Sequence, residues 1–88
     1  MNWWTWRDLR AALVVRIEGH VLDLSVSGCR VESARSIAVG STGILDVRGL
    51  DEPLSRVARV RDTTERPGAA VRYLLHLEFL SMPATRDV

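Results

Sequence analysis

Apolar and polar residues alternate with a period of two along most of this chain, the spacing of a strand with one buried face. Between Ala11 and Glu18, Leu13, Val15 and Ile17 share one face while Arg16 and Glu18 take the other. Gly19-His20 reads as a tight link to a second apolar run, Val21-Leu22-Asp23-Leu24, and so predicts a hairpin. After the polar stretch Asp23-Leu24-Ser25-Val26-Ser27-Gly28, alternation resumes with Cys29, Val31 and Ser33 on one face. Gly40-Ser41-Thr42-Gly43 reads as a loop entering the strand Ile44 to Arg48, and Gly49 to Pro53 has the composition of a turn. From Leu54 to Asp62 the charged positions blur the facing, and Val57 and Val60 point to a bulge or a change of side. Thr63 to Gly68, with its Pro-Gly, predicts a hairpin loop joining two antiparallel strands. The second of these has the cleanest pattern, with Val71, Tyr73, Leu75, Leu77 and Phe79 opposite Arg72, His76 and Glu78.

Six or seven such strands, with no helical periodicity of useful length, predict an all-β fold. A small antiparallel β-barrel removes the exposed edges that so small a sheet would otherwise present, and a sandwich is the other arrangement of the same elements. The chain divides into a Trp/Arg-rich segment at 1–10, a barrel at 11–80 and an irregular or short helical tail at 81–88. Trp3, Trp4 and Trp6 need cover, since a large aromatic ring buries about 150–250 Å². Packing under the barrel, an interface with a partner or a second copy, and contact with a membrane surface would each supply it.

At 88 residues the chain is one domain too small for a large internal pocket. No apolar run approaches the roughly eighteen residues of a membrane span. A net charge of +1 supplies no field to gather nucleic acid. All twelve basic residues are arginine, whose planar fork suits phosphate and guanine edges, although GC-rich coding has the same result. The lone cysteine forms no internal disulfide, and His20, Cys29 and His76 match no zinc spacing, so no metal or resident cofactor is expected. A reducing cytoplasm fits, and Met1 to Asp8 has no secretory pattern. Alternation places Cys29 in the core beside Val31, so it reads as a structural thiol rather than a nucleophile served by His20, and no enzyme is expected. Arg56, Arg59 and Arg61 read as a solvated strand face, and His76 as a surface residue.

The stretch from Asp23 to Gly28 carries the most chemistry. Asp23 and Ser25 point to one side of an extended chain. The carboxylate can accept the paired N–H groups of a guanine edge, and the hydroxyl can donate or accept beside it. A glycine at position 28 allows a positive φ and a close approach to a ligand. The same residues also build a purely structural Asx or Ser turn.

This stretch, preceded by Val15-Arg16-Ile17 and followed by Leu77-Glu78-Phe79, resembles the PilZ domain family of small bacterial β-barrels over roughly residues 9 to 80. The family signature (Asp/Asn)-x-Ser-x-x-Gly corresponds to Asp23, Ser25 and Gly28, and Leu77-Glu78-Phe79 is similar to the phrase that closes the last strand. The resemblance implies a receptor for cyclic di-GMP, whose guanine the signature holds and whose phosphates an upstream Arg-x-x-x-Arg engages. Here the upstream pair is Arg7-Asp8-Leu9-Arg10, with two intervening residues instead of three. Two readings follow. In one, Arg7 and Arg10 fold over a weakly bound dinucleotide and the signal passes to an attached domain or partner. In the other, the module holds no nucleotide and acts through protein contacts or self-association at Trp3, Trp4 and Trp6.

Overall fold

One strand, 12 residues long, organises the molecule: β2, Leu13–Leu24. The structure is a computed structural model that describes residues 3–10, 13–68 and 72–80, without the side chains of Leu13, Val15 and Glu18. The other strands are β1 (Trp3–Asp8), β3 (Gly28–Ser33), β4 (Thr42–Arg48), β5 (Leu54–Arg66) and β6 (Arg72–Phe79). They close a six-stranded antiparallel barrel in the order β1-β2-β3-β6-β5-β4. No helix among the described residues is long and apolar enough to cross a membrane.

β2 has two partners in succession. Its first half pairs with β1, from Asp8↔Leu13 to Trp3↔Glu18, and its second half with β3, from Gly19↔Ser33 to Leu24↔Cys29. Gly19-His20 is therefore the crossing point of a continuous strand, not the hairpin that the glycine suggested. A Cβ at Gly19 would collide with the Glu32 carbonyl and crowd the Trp4 indole, so the glycine serves close packing. β5 works in the same way, pairing with β4 and then with β6, with a register shift between Val60 and Asp62 where a bulge was foreseen near Val60.

The alternation of β3 and β6 is realised, with Cys29, Val31, Ser33, Leu75 and Leu77 all buried. Thr63 to Arg66 continue β5 instead of opening the loop, which starts at Pro67. Gly43 likewise sits inside β4, buried against the Trp6 ring. The turn glycines Gly40 and Gly49 do adopt positive φ, 91° and 93°. Val71 and the tail at 81–88 lie outside the described residues.

Residues 3–8, read as a segment ahead of the barrel, are its first strand. Trp4 and Trp6 are 0% and 2% exposed and fill the core with Leu45, Val47 and Leu77. They cannot be an adhesive surface. Trp3 lies outside, half-buried, with the Arg16 guanidinium 4.8 Å over its ring.

Cys29 is 4% exposed, as its alternation requires. Burial pushes its thiol from 9.0 up to about 11, and the Asp23 carboxylate adds to the effect. Between about pH 9 and about 11 the folded state keeps a proton that the unfolded chain loses, so this group's stabilisation is full below 9 and is lost as pH rises. Chemical denaturation should show a steeper loss of stability over that range in the parent chain than in Cys29→Ala. Parallel curves would contradict it.

Candidate functional site

The end of β2 is shaped by an irregularity. The β2–β3 register shifts between Val21 and Asp23, and beyond the shift Leu22, Asp23 and Leu24 are all exposed. Asp23 stands opposite Arg30 in the ladder, and its Oδ2 accepts a 3.2 Å hydrogen bond from Arg30 Nη2. Both side chains are at least half exposed, so solvent screens this pair to about 0–1 kcal/mol and leaves the carboxylate free to exchange partners.

Between Leu24 and Gly28 the chain turns on Ser25. Its N–H and Oγ both donate to the Gly28 carbonyl, at 2.9 and 3.2 Å, while Ser27 N–H donates to Ser25 Oγ at 3.3 Å. The structural reading of this stretch thus holds at Ser25, whose hydroxyl fastens the turn. It holds at Gly28 too, by a different route from the one expected. Gly28 has no positive φ; it is needed because a Cβ would strike the Leu77 carbonyl of β6.

The Leu77-Glu78-Phe79 phrase anchors the same turn. Leu77 is buried in the core, and Phe79 N–H donates to the Ser27 carbonyl at 2.9 Å. Glu78 faces outward and holds Arg61 at 3.2 Å and Arg59 at 3.9 Å, while Arg56 lies 5.6 Å over the Phe79 ring. The arginine row read as solvated is exposed, and it is organised around this phrase.

These elements leave an open groove of about 360 Å³ beside the turn, lined by Asp23, Ser25, Ser27, Gly28, Arg30 and His76, with Cys29 at its floor. Arg30 and His76 are register partners on β3 and β6. Neither was singled out from sequence as part of this site. The signal for Arg30 was present, since equal steps back from the turn on each side make Asp23 and Arg30 a cross-strand pair.

Arg7 and Arg10 are not brought to this groove. Arg7 lies on β1 opposite Val14 and Ile44, and Arg10 follows in the turn, its N–H donating to Asp8 Oδ1 at 2.8 Å. From Val14 to Asp23 is about 30 Å along β2 at the usual strand rise. Of the two halves of the site expected from sequence, the arginines thus lie beside the start of β2 and the turn at its end.

The model of the PilZ domain matches residues 10–87. The chain belongs to the PilZ domain family. The match takes in the turn at Asp23–Gly28, Arg30 and all of β6, and begins after β1. No curated protein and no solved structure matches the chain. Among the described residues of this PilZ domain no group of three or more His, Cys, Asp or Glu side chains is placed to hold a metal ion.

Proposed function

We propose that this PilZ domain is a non-enzymatic signalling module that binds cyclic di-GMP at the turn groove and passes the signal to an attached domain or partner. The reading rests chiefly on the exposed Asp23 carboxylate, which stands at the family's position beside Ser25 and Gly28 at the mouth of an open groove. Asp23 accepts the N–H edge of one guanine, and Arg30, released from Asp23, turns to a phosphate or stacks on the base. Ser25 and Gly28 support the site by fixing the turn.

Arg7 joins such a ligand only if β1 leaves the barrel, which the burial of Trp4 and Trp6 opposes, and Arg10 sits in the turn that follows β1. The site is thus half of a clamp. A missing charged contact costs about 1.5–3 kcal/mol, roughly ten- to a hundredfold in affinity. Calorimetric titration of the full chain with cyclic di-GMP should give weak saturable binding that Asp23→Asn abolishes. No heat, and no amide shifts at Asp23–Arg30 at high ligand concentration, would overturn the reading.

The second reading, a PilZ domain that holds no nucleotide and acts through protein contacts, has its own support. Leu22, Leu24 and Val26 are 47%, 44% and 95% exposed around the same turn. The contact surface would then be the turn and not the tryptophans.

A further inference from the structure

A second cleft, of about 550 Å³, opens at β2's crossing point and shares no lining residue with the turn groove. It lies between the middle of β2, the segment that follows β3 and the start of β6. Arg16, His20, Arg35 and Arg72 line it, over Ile17, Gly19 and Ala34. Each of the three arginines comes from a different part of the chain, so the barrel's closure is what assembles them.

No ion pair among the described residues compensates the arginines of this cleft. Arg30, Arg59, Arg61 and Arg66 each face a carboxylate, whereas Arg16, Arg35 and Arg72 make no ion pair among the described residues. Glu32, the register partner of His20, is engaged by Arg66 at 3.0 Å. In the sequence of β2, Glu18 is the one acid between Arg16 and His20. The Arg16 guanidinium rests on the Trp3 ring, and the backbone of Arg35 is tied through its N–H to Ser33 Oγ at 2.9 Å.

We propose that this cleft binds a small molecule carrying two or more linked phosphoryl groups, such as a nucleoside diphosphate or triphosphate. Three arginines lining one cleft offer more donors than one carboxylate or one phosphate can engage bidentately. The cleft is also larger than a single phosphate requires. Arginines that no carboxylate among the described residues engages favour the anion from the first encounter, and the stack on Trp3 lowers the ordering cost for Arg16.

Inorganic pyrophosphate, ATP and AMP, titrated separately into the full chain in moderate salt, test the proposal. Pyrophosphate and ATP should bind saturably below millimolar concentration, AMP at least about tenfold more weakly, with amide shifts at Gly19, His20, Ala34 and Arg35. Arg35→Gln with Arg72→Gln, both surface changes with circular dichroism as the fold check, should weaken pyrophosphate binding at least about tenfold. Asp23→Asn should leave it unchanged, which separates this cleft from the turn groove. Absence of saturable binding, equal affinity for AMP, unchanged binding in the arginine variant, or shifts confined to Asp23–Gly28 would each overturn it. Arg35→Gln alone serves if the double variant is unfolded.

Discussion

Trp4→Ala is expected to lower stability by about 3 kcal/mol, the lower end of the range for removing a fully buried tryptophan. The ring is wholly buried, so its loss leaves a cavity that β1, held between β2 and β4, cannot easily collapse into. The lower end applies because the Trp4 indole N–H has no hydrogen-bond partner among the described residues, and its removal relieves a desolvation cost. At 88 residues the total stability is about 4–13 kcal/mol, so the loss removes roughly a quarter to three quarters of it. Urea denaturation should show a much lower midpoint for Trp4→Ala and a small loss for Trp4→Phe, which keeps an aromatic ring and lacks the N–H. A folded Trp4→Ala of parental stability would contradict the placement of β1 in the core.

Gly28→Ala is expected to cost about 2–3 kcal/mol without any ligand present. The added methyl would meet the Leu77 carbonyl, which belongs to the backbone of a buried strand and cannot swing aside like a side chain. β3 and β6 must then separate locally, and the Phe79 N–H bond to the Ser27 carbonyl loosens with them. Hydrogen exchange should accelerate at Phe79 and at Ser25, and the urea midpoint should fall. If Gly28 acted only as a close-approach point for a ligand, the midpoint would stay put and titration alone would suffer.

How much of this was legible in the sequence depended on whether a residue's role was local. β3 and β6 could be read directly, because Cys29, Val31 and Ser33, and Leu75 and Leu77, alternate without interruption. The turn was legible for the same reason, since Asp23, Ser25 and Gly28 lie within six consecutive residues. β2 was split at Gly19 because glycine usually punctuates a strand, whereas here it admits the Glu32 carbonyl and the Trp4 ring, neither a sequence neighbour. β1 was set apart because three tryptophans in four positions hide the period-two pattern in which Trp4 and Trp6 face inward. The separation of Arg7 and Arg10 from the turn was not legible at all. It follows from β1 pairing antiparallel to the first half of β2 and closing onto β4, partners that no local pattern names.

The closure by β1 also bears on where this domain begins. The span that carries the family's pattern starts at residue 10, two residues past the end of β1. A chain cut at that limit keeps the turn, the basic cleft's arginines and β6, yet retains five strands, with Leu13–Glu18 on one side and Gly43–Arg48 on the other deprived of their partner. Two rows of unpaired backbone N–H and C=O groups would then face outward, a template for strand addition by neighbouring copies. The tryptophan strand is therefore what keeps this small sheet from joining another.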